Sequence, residues 1–150
     1  MAVNWKPEGY HTVTPYLIGR GTAELIDFLR QSFGAQERER LMRPDGKIMH
    51  AEVRIGDSVV MMGEASDDFK AMPTSIHLYL EDVDAAYERA VRAGGNSLRE
   101  PTDQFYGDRS AGVEDASGNH WWLATHVEDV SPQEMQRRQE AMATAQSSAS

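Results

Sequence analysis

The chain has 150 residues, 40% of them apolar, enough for one compact domain that buries roughly 70% of the surface its unfolded chain exposes. Cysteine is absent, which excludes disulfides, thiolate catalysis and every cysteine-containing zinc or iron–sulfur site, and leaves histidine and carboxylates as the metal ligands to consider. Fifteen Lys and Arg against 24 Asp and Glu give a net charge of -9, with no basic block to track a phosphate backbone. No apolar run approaches the ~20 residues of a membrane span, and Met1 to Tyr10 lacks the apolar stretch of a signal peptide. The expectation is a cytoplasmic protein with neither nucleic acid nor membrane as partner.

In chain order, Thr12 to Ile18 reads as a strand, Gly19 to Gly21 breaks it, and Leu25, Ile26, Leu29 and Phe33 recur at helical spacing over Ala23 to Phe33, which closes at Gly34. Gln36 to Met42 reads as a further strand. Lys47 to Ile55 and Ser58 to Met62 flank the two-residue turn Gly56-Asp57 as a β-hairpin. After the polar connection Asp67 to Pro73 the order returns: strand Ser75 to Leu80, helix Val83 to Ala93, and strands near Asn96 to Arg99, Arg109 to Glu114 and His120 to Val127. A shift of 61 residues maps Thr14 onto Ser75 and Met61 onto Trp122, so one βαβββ unit occurs twice. Ser131-Pro132-Gln133-Glu134 is a capping box that starts a helix running to about Ala143, with Ala145 to Ser150 frayed.

Strand alternation sorts each sheet into two faces. Ala51, Val53, Ile55, Val60 and Met62, with Ile76, Leu78, Leu80, Trp121, Leu123 and Val127, form the face that packs under the helices. The opposite face carries Thr14, Tyr16, His50, Glu52, Arg54, Met61, Ser75, His77, Tyr79, His120 and Trp122. It is too polar for a second core, and its aromatic and thioether groups suit a ligand cleft better than open water. Glu81, Asp82 and Asp84 fall on the first turn of the second helix, where negative charge suits the helix dipole.

Two βαβββ units, with Gly107-Asp-Arg-Ser before Glu114-Asp-Ala-Ser-Gly-Asn-His, resemble the vicinal oxygen chelate superfamily of glyoxalase I, bleomycin-resistance proteins and extradiol dioxygenases. The segments His11-Thr-Val-Thr-Pro-Tyr-Leu, His50-Ala-Glu-Val-Arg-Ile-Gly-Asp-Ser, Ser75-Ile-His-Leu-Tyr-Leu-Glu-Asp-Val-Asp-Ala, Phe105-Tyr-Gly-Asp-Arg-Ser and Trp122-Leu-Ala-Thr-His-Val-Glu-Asp-Val are similar to its PhnB-like branch over residues 10 to 135. The resemblance implies an α+β domain over residues 1–150, glyoxalase/bleomycin-resistance-like. Its tandem βαβββ modules, about 11–64 and 74–127, would form a curled mixed sheet around a cleft, in a homodimer; the C-terminal helix follows at about 132–143.

Metal-dependent members hold an ion at positions that correspond here to Thr14, Met61, Ser75 and Trp122. Hydroxyls, a thioether and an indole are poor ligands for divalent ions, so no cofactor is expected at the family site. A displaced ion on His50, Glu52, His77 and His120 is the alternative. The expected function is binding of a small, anionic, partly apolar molecule by Thr14, Tyr16, Glu52, Arg54, Met61, Ser75, Tyr79, Tyr106, Arg109 and Trp122. The other reading is a lyase, isomerase or epimerase in which His50, His77 or His120 moves protons. Arg109 carries the anion expectation because its segment resembles one that contacts an anionic ligand in fosfomycin-resistance members; a salt bridge at the sheet edge is its structural alternative.

Overall fold

The computed structural model describes residues 2–149, with side chains through residue 147; the expectations placed on Met1 and Ser150 lie outside the described residues. The first module comprises β1 (Tyr16–Gly19), α1 (Thr22–Phe33), β2 (Gln36–Met42), β3 (Ile48–Ile55) and β4 (Ser58–Glu64). The second comprises β5 (Ser75–Tyr79), α2 (Val83–Arg92), β6 (Asn96–Asp103), β7 (Asp108–Glu114) and β8 (His120–His126), and α3 (Pro132–Ala149) follows. The strands form two four-stranded mixed sheets, β1-β4-β3-β2 and β5-β8-β7-β6, each with one parallel pair at the first strand. Tyr16 faces Met61 across the first parallel pair, and the residues 61 positions later, His77 and Trp122, face each other across the second. The fold is α+β with two repeated βαβββ modules.

The helix-facing alternation holds. Leu17, Ala51, Val53, Val60 and Met62 of the first sheet join Ala111, Val113, Trp121 and Leu123 of the second in one buried cluster with Ile26 and Leu29 of α1 and Ala86 and Ala90 of α2. Each buried aliphatic or aromatic side chain there contributes about 1.5–3 kcal/mol by leaving water. The modules meet around α1: Phe33 lies 5.6 Å from Trp121 of β8 ring to ring, and Arg89 Nε of α2 donates to Ser32 O at 3.0 Å. Ser117 Oγ adds a bond to Arg20 O at 2.7 Å.

The two mixed sheets stay separate and are not closed. Four expectations are corrected. β1 begins at Tyr16 instead of Thr12 because Pro15 has no N–H to donate to a ladder; its carbonyl still accepts from Met61 N at 2.9 Å. β6 continues past Arg99 to Asp103, with Pro101 in an irregular stretch of an edge strand, where a missing donor is tolerated. The last helix runs to Ala149, well past Ala143, since its alanines and glutamines favour helix and no Gly or Pro stops it. Its start is as expected, Ser131 Oγ accepting from Glu134 N at 3.1 Å. Val127, expected on the helix face, lies beyond β8 and is 56% exposed.

Candidate functional site

A cavity of about 660 Å³ opens on the polar face of the first sheet. Tyr16 and Ile18 of β1, Met49 and His50 of β3 and Gly63 and Glu64 of β4 line its floor, and Arg43, Ser66, Asp68, Phe69 and Met72 line its sides. The β4–β5 connection is pinned over it by Ala65 N to Gly19 O at 2.8 Å and Met72 N to Ile18 O at 2.9 Å. This leaves Phe69 and Met72 largely exposed at the rim. The floor is open because residue 63 is glycine: a Cβ there would stand 2.5 Å from Met49 O and 3.1 Å from the Tyr16 hydroxyl.

Two charged groups of this cavity, Glu64 and Arg43, are committed elsewhere. Glu64 accepts from Gly21 N at 3.1 Å and Thr22 N at 3.0 Å, so its carboxylate closes the N-terminus of α1. Burial alone would raise its pKa, but these amide donors outweigh burial and hold it below the usual range. Arg43 donates to Asp45 at 3.2 and 2.7 Å and to Ala65 O at 3.3 Å. What remains of the lining is mostly apolar, with the Tyr16 hydroxyl on the floor and the exposed Asp68 at the side.

The Tyr16 hydroxyl is the end of a hydrogen-bonded chain. The Tyr16 hydroxyl meets His50 Nδ1 at 3.1 Å, His50 Nε2 meets Glu52 Oε2 at 2.8 Å, and the Tyr10 hydroxyl donates to Glu52 Oε1. Glu52 is buried, and burial raises its pKa. Tyr10 reaches it because the segment before β1 crosses the sheet, held by Arg38 stacked over the Tyr10 ring at 5.2 Å and by His11 Nε2 at 2.9 Å from Asp57 O. Glu39 of β2 stands directly opposite Glu52. One ligand atom from each of Glu39, His50 and Glu52 lies within 4.8 Å of the others, the one such group of three or more metal-ligating side chains among the described residues.

The expected residues divide between two sheets. Tyr16 and His50 line the cavity, Glu52 joins them through its bond with His50, and Met61 is beside Tyr16 in the ladder. Thr14 precedes β1 and donates to His11 O at 3.2 Å, and Arg54 is exposed toward the hairpin end of β3. Ser75, His77, Tyr79, His120 and Trp122 share the open face of the second sheet, so the displaced set of His50, Glu52, His77 and His120 is not assembled. His77 lies edge-on to Tyr79 at 5.0 Å, and His120 Nε2 is 3.6 Å from Glu114. Tyr106 packs edge-on against Phe105 at 5.2 Å in the β6–β7 connection.

Arg109 is placed otherwise than expected. It pairs with Thr125 across β7 and β8 and reaches the helix side, donating to Asp84 of α2 at 2.9 Å through both Nε and Nη2 and to Asp103 at 3.2 Å. The arginine over Trp122, on the open face of the second sheet, is Arg99, 5.0 Å from its ring. Asp82 caps α2 by accepting from Ala85 N at 3.1 Å, as the acidic first turn suggested.

Residues 11–123 match the model of the Glyoxalase/Bleomycin resistance protein/Dioxygenase superfamily. The chain belongs to that superfamily. Uncharacterised proteins of its kind of sequence, Rv0887c of Mycobacterium tuberculosis and Mb0911c of Mycobacterium bovis, are each 36% identical to it over 91% of this chain, covering 84% and 94% of their own lengths. Among solved structures, TioX from Micromonospora sp. ML1 superposes with a TM-score of 0.68 at 22% identity, over 78% of this chain and 99% of TioX. Protein PA1353 from Pseudomonas aeruginosa gives 0.64 at 22% identity, over 79% and 99%. These two share the fold. The residues that the resemblance sets at the superfamily's metal positions, Thr14, Met61, Ser75 and Trp122, carry side chains that do not fit an ion. Thr14 already donates to a backbone carbonyl, and the other three bring a thioether, a single hydroxyl and an indole without a lone pair to give.

Proposed function

We propose that this superfamily member binds a small, largely apolar molecule in the first-sheet cavity, with a neutral hydrogen-bonding oxygen of the ligand meeting the Tyr16 hydroxyl. The observation that carries this reading is the cavity itself: its volume of about 660 Å³ lies in the range of small-molecule sites, with apolar walls and few polar groups. Ile18, Met49, Phe69 and Met72 supply the apolar contact. An anionic group, expected from Arg109, is set aside because that guanidinium sits on the helix side between two carboxylates and Arg43 is occupied by Asp45.

Binding is favoured over proton transfer because the three histidines expected to move protons are not brought together: His50 lies at the first-sheet cavity, His77 and His120 on the second sheet. The expected homodimer fits the open face of the second sheet, where Tyr79 is 66% exposed; a second copy covering it would give a dimer by analytical ultracentrifugation, and a monomer at all concentrations would contradict this.

A thermal-shift panel of neutral aromatic ketones and phenols tests the binding reading. Tyr16→Phe should weaken the best binder by about 1 kcal/mol, the net worth of one hydrogen bond, while Trp122→Phe on the other sheet leaves it unchanged. Equal affinity in wild type and Tyr16→Phe would overturn the role given to Tyr16.

A further inference from the structure

We propose that Glu39, His50 and Glu52 form a binding site for a divalent first-row metal ion, of the zinc, cobalt or manganese class, distinct from the superfamily's positions and independent of the ligand reading above. Three features converge. His50 Nε2 and Glu52 Oε2 are 2.8 Å apart, close to the ~3 Å that separates neighbouring ligands around an ion with bonds of ~2.1 Å. The atoms that would not bind the ion are already held: Tyr16 at His50 Nδ1 and Tyr10 at Glu52 Oε1. Outer partners of this kind orient an imidazole and a carboxylate toward a metal.

The third feature is Glu39. It is exposed, has no hydrogen-bond or ion-pair partner among the described residues, and faces Glu52 directly across the β2–β3 ladder. Two carboxylates opposed in this way repel each other, the more so as Glu52 is 5% exposed; a cation between them removes the repulsion. The three ligand atoms already lie within 4.8 Å of one another. One imidazole nitrogen and two carboxylate oxygens suit ions of intermediate hardness, and three protein ligands leave positions for water or another oxygen ligand.

The test uses the untagged full chain dialysed with zinc or cobalt and then against metal-free buffer near neutral pH, without any organic ligand. One equivalent of ion by elemental analysis, and visible cobalt absorption of a four- or five-coordinate site, are expected. Glu39→Gln, on the surface and safe for folding, should weaken the ion about tenfold or more; His50→Ala and Glu52→Gln should abolish it, and His120→Ala should not affect it. Substoichiometric ion in wild type, or unchanged affinity in Glu39→Gln, overturns the site. Neither result bears on fragment binding, so failure of the metal site is distinguishable from failure of the cavity reading.

Discussion

Arg109 and Asp84 form a two-bonded ion pair, 2.9 Å on each arm, that ties β7 to the first turn of α2. Asp103 adds a third bond at 3.2 Å. The paired guanidinium holds the Asp84 carboxyl below the usual range. Arg109→Ala should lower the thermal unfolding midpoint by a few degrees, the modest effect expected of a partly exposed pair, and leave fragment affinity unchanged. Loss of binding in a variant that melts like wild type would return Arg109 to the ligand.

Trp122 lies across Gly112, where an added Cβ would sit 2.3 Å from the ring. Gly112→Ala must push the indole away and break its stacking with Arg99. The expected cost is about 1–3 kcal/mol, typical of overpacking, with a changed tryptophan emission; an unaltered spectrum and melting point would show that the ring is not seated there.

His126 joins Asp108 at 2.8 Å and Asp129 at 2.7 Å, while the Tyr79 hydroxyl donates to Asp108 at 2.9 Å. Bonds to Asp129 and Asp108 raise the His126 pKa. Burial would raise the Asp108 pKa, but its bonds from His126 and Tyr79 outweigh burial and lower it. The His126 contribution is full below its unfolded value of about 6.5 and is lost as pH rises through the raised folded value. The Asp108 contribution is full above about 3.9 and is lost as pH falls through the lowered folded value. Stability from this clamp is therefore greatest from about pH 4 to 6.5. Melting temperatures measured across pH should decline on the alkaline side in wild type and lose that decline in His126→Ala; parallel curves would exclude the clamp.

How much of this the sequence discloses depends on the distance over which its rules act. Alternation and the repeat are local, so they placed Tyr16, His50 and Glu52 on one face and matched Tyr16–Met61 with His77–Trp122. Glu39 escaped because a register irregularity between Leu41 and Met42 spoils any count from the β2–β3 turn. Tyr10 escaped because its bond to Glu52 spans 42 residues and is made by a segment outside any strand. Arg109 was misplaced for a simpler reason: its parity on β7 puts it opposite Thr125, whose Oγ1 accepts from Val83 N of α2 at 2.9 Å, and so on the helix side.

The reach of the cavity reading rests on Met49 and Met72, which face it from β3 and from the β4–β5 connection. Methyl-labelled methionine NMR during titration with the neutral aromatic ketone or phenol that gives the largest thermal shift is the most direct measurement. The account predicts saturable shifts of the Met49 and Met72 methyls, reduced in Tyr16→Phe, with Met135 and Met142 of α3 unmoved. Stabilisation by the fragment without movement of Met49 and Met72 would place its site elsewhere and contradict the account.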